Sequence, residues 1–446
     1  MGSSGNSFGA KRLRRAVFGT AGLKFFYLAT QFATGVLLAR LLGAETLGVY
    51  AFYFAVIQVI AIVAQAGFPL YLVRAVARAR ESNDIAGGTA LTASAICVVI
   101  FVSFLIYGAL YCLKDIFAVE WFVNNSEFYS AVYLILPLAM IPTIAGALKG
   151  AGKIIQGQIP DLAVRPILFF FLVGGIYYLG SAVTVAEVFY VQFLALLVAL
   201  VVALFSLSLE MKFFGRQALV SVRPIRALKS GSVYLLLAGA QVINYQTSVL
   251  LLGILASPTE VGLYRVGLQV SDALGVVLFA VSAVIAPQIA RFHAREDWAS
   301  VQRLVVISHR AAAAALLPFT LLAVFYGEEM LVLILGADYQ GASEALTILV
   351  LGKLFYATVG FSGIALSMLG RPGVAAVVTF SSLLVNILLG LLLVPDYGAI
   401  GAAISTALSL LIVNVVSLRW MRSRTGRGFS AFARIKSAVK DSKFNE

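Results

Sequence analysis

The sequence predicts an all-α polytopic membrane protein of twelve transmembrane helices, arranged as two six-helix lobes in parallel pseudo-repeat. Three observations lead there. Of the 446 residues, 61% are hydrophobic and only 12% charged, and the mean hydropathy of +0.97 lies outside the range of soluble domains. The apolar residues come in long solid runs without the period-two polarity of barrel strands, so helices rather than a β-barrel satisfy the backbone in lipid. Finally, a phrase from the start of the chain returns about half its length later.

A helix needs about 20 apolar residues to cross a bilayer, and twelve such cores fit between charged or turn-rich breaks. The first six are 16–38, 50–70, 91–111, 129–148, 162–179 and 185–207; the second six are 233–255, 266–289, 304–326, 345–369, 374–394 and 400–418. Pro137, Pro142 and Pro318 fall inside these cores and are expected to kink them, because proline lacks the backbone donor. The first apolar run follows basic residues but has no small-residue cleavage site after it, so it reads as an uncleaved helix. Cys97 and Cys112 share the third helix, some 22 Å apart at about 1.5 Å per residue, too far to pair.

Every second loop is basic. Lys11 to Arg15, Arg74 to Arg80, Lys149 and Lys153, Lys212 to Lys229, Arg291 to Arg310, Arg371 and the C-terminal tail carry the loop cations, whereas the intervening loops hold only Arg40 and Lys114. The positive-inside rule then puts both termini in the cytoplasm. The formal net charge of +13 is thereby explained by many short basic loops facing one anionic leaflet. Nucleic acid is not needed as a partner.

"LLARLLGAETLGVY", Leu37 to Tyr50, returns as "LLLGILASPTEVGLY", Leu250 to Tyr264. An offset of 213 or 214 sets Val36-Leu37-Leu38 on Val249-Leu250-Leu251 and Gly48-Val49-Tyr50 on Gly262-Leu263-Tyr264. The register continues: Pro69 precedes Arg74 and Arg78, and Pro287 precedes Arg291 and Arg295. Six helices separate the copies, an even number, so both start on the same side and are related by an axis along the membrane normal; such repeats commonly share a site. The expected organisation is an N-terminal lobe at 1–211, a basic cytoplasmic linker at 212–229, a C-terminal lobe at 230–426 and a basic cytoplasmic tail at 427–446.

A charged side chain at a helix centre costs roughly 2.5–3.5 kcal/mol on insertion scales, so those that persist face a cavity or a partner. Here they are Lys24, Asp161, Arg165, Arg265, Asp272 and Lys353. Lys24, Tyr27, Gln31 and Thr34 share one face of the first helix, and Gln241, Asn244 and Ser248 do the same in the seventh. Under the 213 offset Gln31 falls on Asn244 and Thr34 on Thr247. The eighth helix adds Arg265, Gln269 and Asp272, with Gln58 opposite Asp272 in the repeat, and the tenth adds Lys353 and Tyr356. Interhelical hydrogen bonding is the bland alternative for each stripe. Asp161 and Arg165, one turn apart near the cytoplasmic end, read as a local ion pair. Asp272 is a counter-ion to Lys24 or Lys353, or a protonatable coupling group.

The tail "RGFSAFARIKSAVK" places Phe429, Phe432, Ile435 and Val439 at near-helical spacing among basic residues, as an interfacial helix would; a solvated tail is the alternative. "GALKGAGKI", Gly146 to Ile154, only superficially resembles a phosphate loop: the first glycine is one position too far from Gly152-Lys153, and no Ser or Thr follows. His293 and His309 lie near one cytoplasmic loop, with no metal-ligand or nucleophile-base cluster in view. The extracytoplasmic loops are too short for a catalytic domain. No enzyme, cofactor or metal centre is expected.

"LLARLLGAETLGVYAF", "ASPTEVGLYRVGLQVSD", "LILGADYQGASEALTILVLG" and "LLLVPDYGAIGAAISTALSLL" together resemble the polysaccharide-transport branch of the multidrug/oligosaccharidyl-lipid/polysaccharide exporter superfamily, the O-antigen and exopolysaccharide flippases. The resemblance spans nearly the whole chain. It implies two six-helix lobes in a V, with the first, second, seventh and eighth helices lining a cationic cavity. It also implies that Lys24, Arg265 and Lys353, with Gln31 and Asn244, bind the diphosphate and sugars of an undecaprenyl-diphosphate oligosaccharide, flipped from the cytoplasmic to the periplasmic leaflet of a bacterial inner membrane. Membrane lipids and polysaccharide polymerase or assembly proteins would be its partners, and H+ or Na+ its coupling ion. Twelve helices argue against the fourteen-helix peptidoglycan-precursor flippases. The rival reading is a cation-coupled multidrug exporter, which would want an acidic cavity, and only Asp272 suits it.

Overall fold

The computed structural model describes residues 4–112, 126–179, 183–211, 224–360, 372–426 and 428–433. All regular structure among them is helical: α1 (Ser4–Gln65), α2 (Phe68–Glu81), α3 (Ile85–Cys112), α4 (Ser126–Val132), α5 (Ile135–Gly150), α6 (Ile154–Ile159), a π-turn at Pro160–Val164, α7 (Arg165–Leu179), α8 (Val185–Met211), α9 (Pro224–Leu255), α10 (Pro258–His293), α11 (Trp298–Leu335), a 3-10 turn at Ala337–Ala342, α12 (Ser343–Val359) and α13 (Pro372–Thr425). The all-α membrane class holds. Ten of the described helical stretches are long and apolar enough to cross a bilayer.

Two of these stretches, of 63 and 44 residues, are long enough for two crossings each at about 20 residues per crossing. Each contains a glycine off helical geometry, Gly43 at φ 70°, ψ 173° in α1 and Gly398 at φ 49°, ψ −128° in α13. A side chain would strain both conformations. Both fall in gaps that the sequence leaves between spans, after the first and after the eleventh. In α11 the non-helical residue is Tyr326 and not Pro318: a proline removes one helical hydrogen bond without forcing its own dihedrals out of the helix.

The chain forms two compact units, Met1–Leu42 with Phe52–Ile243, and Gly43–Ala51 with Asn244–Glu446. In the first, Tyr53, Ile57, Phe68, Leu72, Leu134, Ile135, Ile141 and Phe189 are fully buried. Two of the three glycines of "GALKGAGKI", Gly146 and Gly150, are packing residues here. A Cβ on Gly146 would lie 2.4 Å from the Pro69 carbonyl oxygen, and one on Gly150 2.8 Å from that of Leu72. Small residues of this kind let membrane helices approach backbone to backbone, and so α5 seats α2. Asp161 and Arg165 form the expected i,i+4 pair at 3.3 Å, and Lys153 reaches Glu210 at 3.4 Å.

In the second unit Leu278, Ile285, Ile289, Val301, Val305, Ala312, Leu316, Ala357 and Phe429 make one core. Phe429 reaches it from beyond α13, which corrects the reading of the tail. Gln302 Nε2 donates to the Gly428 carbonyl at 2.8 Å, Arg310 donates to the carbonyls of Ala431 and Ala433 at 2.8 and 3.1 Å, and the Ala431 amide donates to the Thr358 carbonyl at 2.9 Å. The Ala431 amide, spent on Thr358, is not available for a helical bond within the tail. Phe429 is 1% exposed and Phe432 82%, so the two aromatics do not share a face. Ile435 and Val439 lie outside the described residues, as do residues 212–223 of the expected linker.

Candidate functional site

The charged residues of α10 and α12 converge in the second unit. Arg265, Gln269 and Asp272 are spaced four and three apart on one face of α10. Asp272 Oδ1 accepts from Lys353 Nζ of α12 at 2.5 Å, and Oδ2 accepts from Tyr245 Oη of α9 at 2.7 Å. Room for the ammonium comes from Gly275, one turn beyond Asp272, where a Cβ would stand 3.4 Å from Lys353 Nζ. Arg265 donates a hydrogen bond to Tyr245 and is within electrostatic reach of Asp272 and Tyr50. Arg265, Tyr245, Asp272 and Lys353 thus form one chain of contacts.

That chain holds two cations and one carboxylate. Withdrawing an ammonium or a carboxylate from water costs several kcal/mol per ion, offset only when the two are paired and their remaining polar atoms bonded. The Lys353 and Asp272 side chains are 19% and 29% exposed, and Tyr245 supplies the second bond to the carboxylate. Of the two counter-ion partners expected for Asp272, Lys353 is the one in contact. A hydroxyl network adjoins this group: Ser248 Oγ and Thr406 Oγ1 are 2.8 Å apart, and Tyr264 Oη is 3.0 Å from Thr406 Oγ1, joining α9, α10 and α13.

The first-helix stripe lies in the other unit. Lys24 Nζ sits 4.7 Å from the centre of the Tyr27 ring, a cation–π distance, and Gln31 Nε2 donates to Tyr27 Oη at 3.1 Å. Thr34 departs from the stripe: its hydroxyl donates to the Thr30 carbonyl of its own helix, and its side chain is buried. Asn244, the repeat partner of Gln31, has its Oδ1 buried without a hydrogen-bond partner, an uncommon state for a buried acceptor.

Tyr245, Tyr50 and Thr406 were not singled out from sequence as site residues, although each stands in this network. Tyr50 and Tyr264 were visible as landmarks of the repeat. Tyr245 gave no signal, because Gln31 lies before Gly48, where the 213 offset holds and sets Gln31 on Asn244. Thr406 gave none, being one hydroxyl among many in α13. Among the described residues no group of three or more His, Cys, Asp and Glu side chains could hold a metal ion.

Residues 17–293 match the family described as Polysaccharide biosynthesis protein, and residues 163–440 the family described as Lipid II flippase MurJ. Agl15, a probable low-salt glycan biosynthesis flippase of Haloferax volcanii, is 26% identical over 416 residues, covering 91% of this chain and 81% of Agl15. Among solved structures, an inward-facing multidrug resistance MATE family transporter of the MOP superfamily superposes with a TM-score of 0.71 at 15% identity, over 89% of this chain and 94% of that one. Lipid II flippase MurJ in an inward closed conformation gives 0.67 at 13% identity, over 90% and 86%. At such identities these two likenesses establish the fold alone.

Proposed function

The chain belongs to the polysaccharide biosynthesis protein family of the multidrug/oligosaccharidyl-lipid/polysaccharide exporter superfamily, and from that premise we propose that it flips an undecaprenyl-diphosphate-linked oligosaccharide from the cytoplasmic to the periplasmic leaflet by alternating access. It is a membrane transporter and not an enzyme. The glycan-biosynthesis role named for Agl15 supports a lipid-linked glycan as the cargo class. In this reading both termini are cytoplasmic, the membrane is a bacterial inner membrane, and the product feeds polysaccharide polymerase or assembly proteins.

The observation that carries the reading is the sign of the membrane-embedded charge. Lys24, Arg265 and Lys353 stand against the single carboxylate Asp272, Asp161 being engaged with Arg165. A diphosphate is recognised by charge-assisted hydrogen bonds, which strengthen as the local dielectric falls. We assign Lys24, Arg265 and Lys353 to the diphosphate and acidic sugars. Gln31 and Asn244 take sugar hydroxyls, the Asn244 Oδ1 being an acceptor with spare capacity. Asp272 is the counter-ion of Lys353 or the group through which H+ or Na+ couples to transport. A cation-coupled drug exporter would use a carboxylate to hold a cationic drug, and here that carboxylate already holds Lys353.

Deleting the gene tests the proposal: lipid-linked oligosaccharide should accumulate on the cytoplasmic side and surface polysaccharide should be lost. Normal surface polysaccharide together with raised sensitivity to cationic dyes would replace the flippase by the exporter.

A further inference from the structure

The two copies of the repeated phrase touch each other, and they do so reciprocally. A Cβ built on Gly48 would lie 1.8 Å from the carbonyl oxygen of Pro258, and one built on Gly262 would lie 1.9 Å from the carbonyl oxygen of Ala44. Ala44 and Pro258 stand 214 positions apart, as do Gly48 and Gly262. Each glycine therefore meets, in the opposite copy, the residue four positions before that copy's own glycine. This is the pattern of an isologous contact, in which residue i meets j and j meets i, here made within one chain. Only a hydrogen fits between each glycine and its carbonyl, so the backbones meet through Cα–H···O contacts.

Further contacts surround the glycine pair. A Cβ on Gly43 would approach Asp338 Oδ2 at 3.4 Å. Ser257 caps α10 by accepting from the Glu260 amide, and Glu260 Oε2 accepts from the Ala399 amide at 2.6 Å, just past the non-helical Gly398. All these residues lie in the second compact unit, yet the segment Gly43–Ala51 is flanked on both sides by chain belonging to the first. A displacement of one unit against the other must be absorbed in that segment or must break the glycine contact.

We propose that the Gly48–Gly262 contact is a releasable lock: a backbone clasp, formed by equivalent residues of the two repeats, which opens and closes once per transport cycle. Its consequence for transport rests on the alternating-access reading; the clasp does not. A side chain at either glycine holds the clasp open, because the atom it would strike is backbone and cannot move aside as a flexible side chain does. Gly48→Ala and Gly262→Ala should have the same effect, and the double variant should add little to either.

The test uses the full-length protein with Cys97 and Cys112 replaced by serine and a single reporter, Ala44→Cys or Val261→Cys, both at buried positions. Labelling by a membrane-impermeant maleimide should be slow in the parent and about tenfold faster with either Gly48→Ala or Gly262→Ala, at both reporters. Gly108→Ala, with open space around it, should leave both rates unchanged. Parent rates in both glycine variants, or acceleration at only one reporter, overturn the lock. If an alanine variant fails to fold, hydrogen exchange in the parent decides. Amides of 43–51 and 257–263 should be protected and open with one common rate, and protection of one segment without the other overturns the proposal. Transport of a defined lipid-linked glycan is assayed separately. Faster labelling with no glycan transport by the parent would keep the lock and sink the flippase.

Discussion

Lys353 and Asp272 illustrate how a single charge constrains a membrane protein. Without Asp272, Lys353 would be a desolvated ion, and without Lys353, Asp272 would lose its ion-pair partner, whereas together, with Tyr245 on the second carboxylate oxygen, they are tolerated. Removing one member should therefore cost more stability than removing both, with a coupling of about 1 kcal/mol or more in a double-mutant cycle of Lys353→Ala and Asp272→Ala. Thermal unfolding in detergent measures it. Transport separates structure from function: if Lys353 receives the substrate, the double variant regains stability and still fails to transport. Wild-type transport by the double variant would reduce the pair to interhelical glue. Lys24→Ala and Arg265→Ala should abolish transport with normal protein levels in the membrane, and normal transport by either removes that residue from the site. These charges were legible in the sequence because an ion in an apolar run needs a reason. Tyr245 was not, since an aromatic in an apolar run needs none and its hydroxyl partner is 27 residues away.

At the level of elements, the tail segment that follows α13 is the clearest case of tertiary contacts overriding a pattern. The phenylalanine spacing suggested an amphipathic helix, but Phe429 is drawn into the core between α10, α11 and α12 while Gln302, Arg310 and Thr358 bind the neighbouring backbone. Phe429→Ala should cost about 3 kcal/mol, as large-to-small changes in a packed core do, and Phe432→Ala almost nothing, given its exposure. Unfolding midpoints of the two variants check this; equal midpoints would mean that the segment is not held. Gly398→Ala, at a φ of 49° and with Glu260 Oε2 only 2.4 Å from the new methyl, should be destabilising by about 1–3 kcal/mol. Here sequence and structure agree on place but not on cause: the gap between spans was readable from Pro395 and Asp396, while the need for glycine arises from Glu260, which is remote in sequence. "GALKGAGKI" is the converse, glycines visible at once whose use appears only when α2 is set against α5.

For the whole molecule, what the sequence carries best is what the bilayer dictates. Helix lengths and the alternation of basic loops follow from lipid thickness and leaflet charge, and they do not depend on which helix packs on which. Contacts such as the reciprocal glycines depend on packing, and only the 214-residue offset hinted that the two phrases were equivalent, not that they meet. The same division yields a prediction about orientation. If the loop cations set the topology, single cysteines at Ser82, in a basic loop, and at Ser257, in a loop free of Lys and Arg, should be labelled from opposite sides of the membrane by an impermeant reagent. Ser82 should react only in inside-out vesicles and Ser257 only in right-side-out vesicles, both positions being exposed. The inverse pattern would reverse the direction of transport, placing the basic loops, and the side from which an anionic head group is first attracted, away from the cytoplasm. Labelling of both from one side would break the odd count of five crossings between Ser82 and Ser257, and with it the six-helix spacing on which the parallel repeat depends.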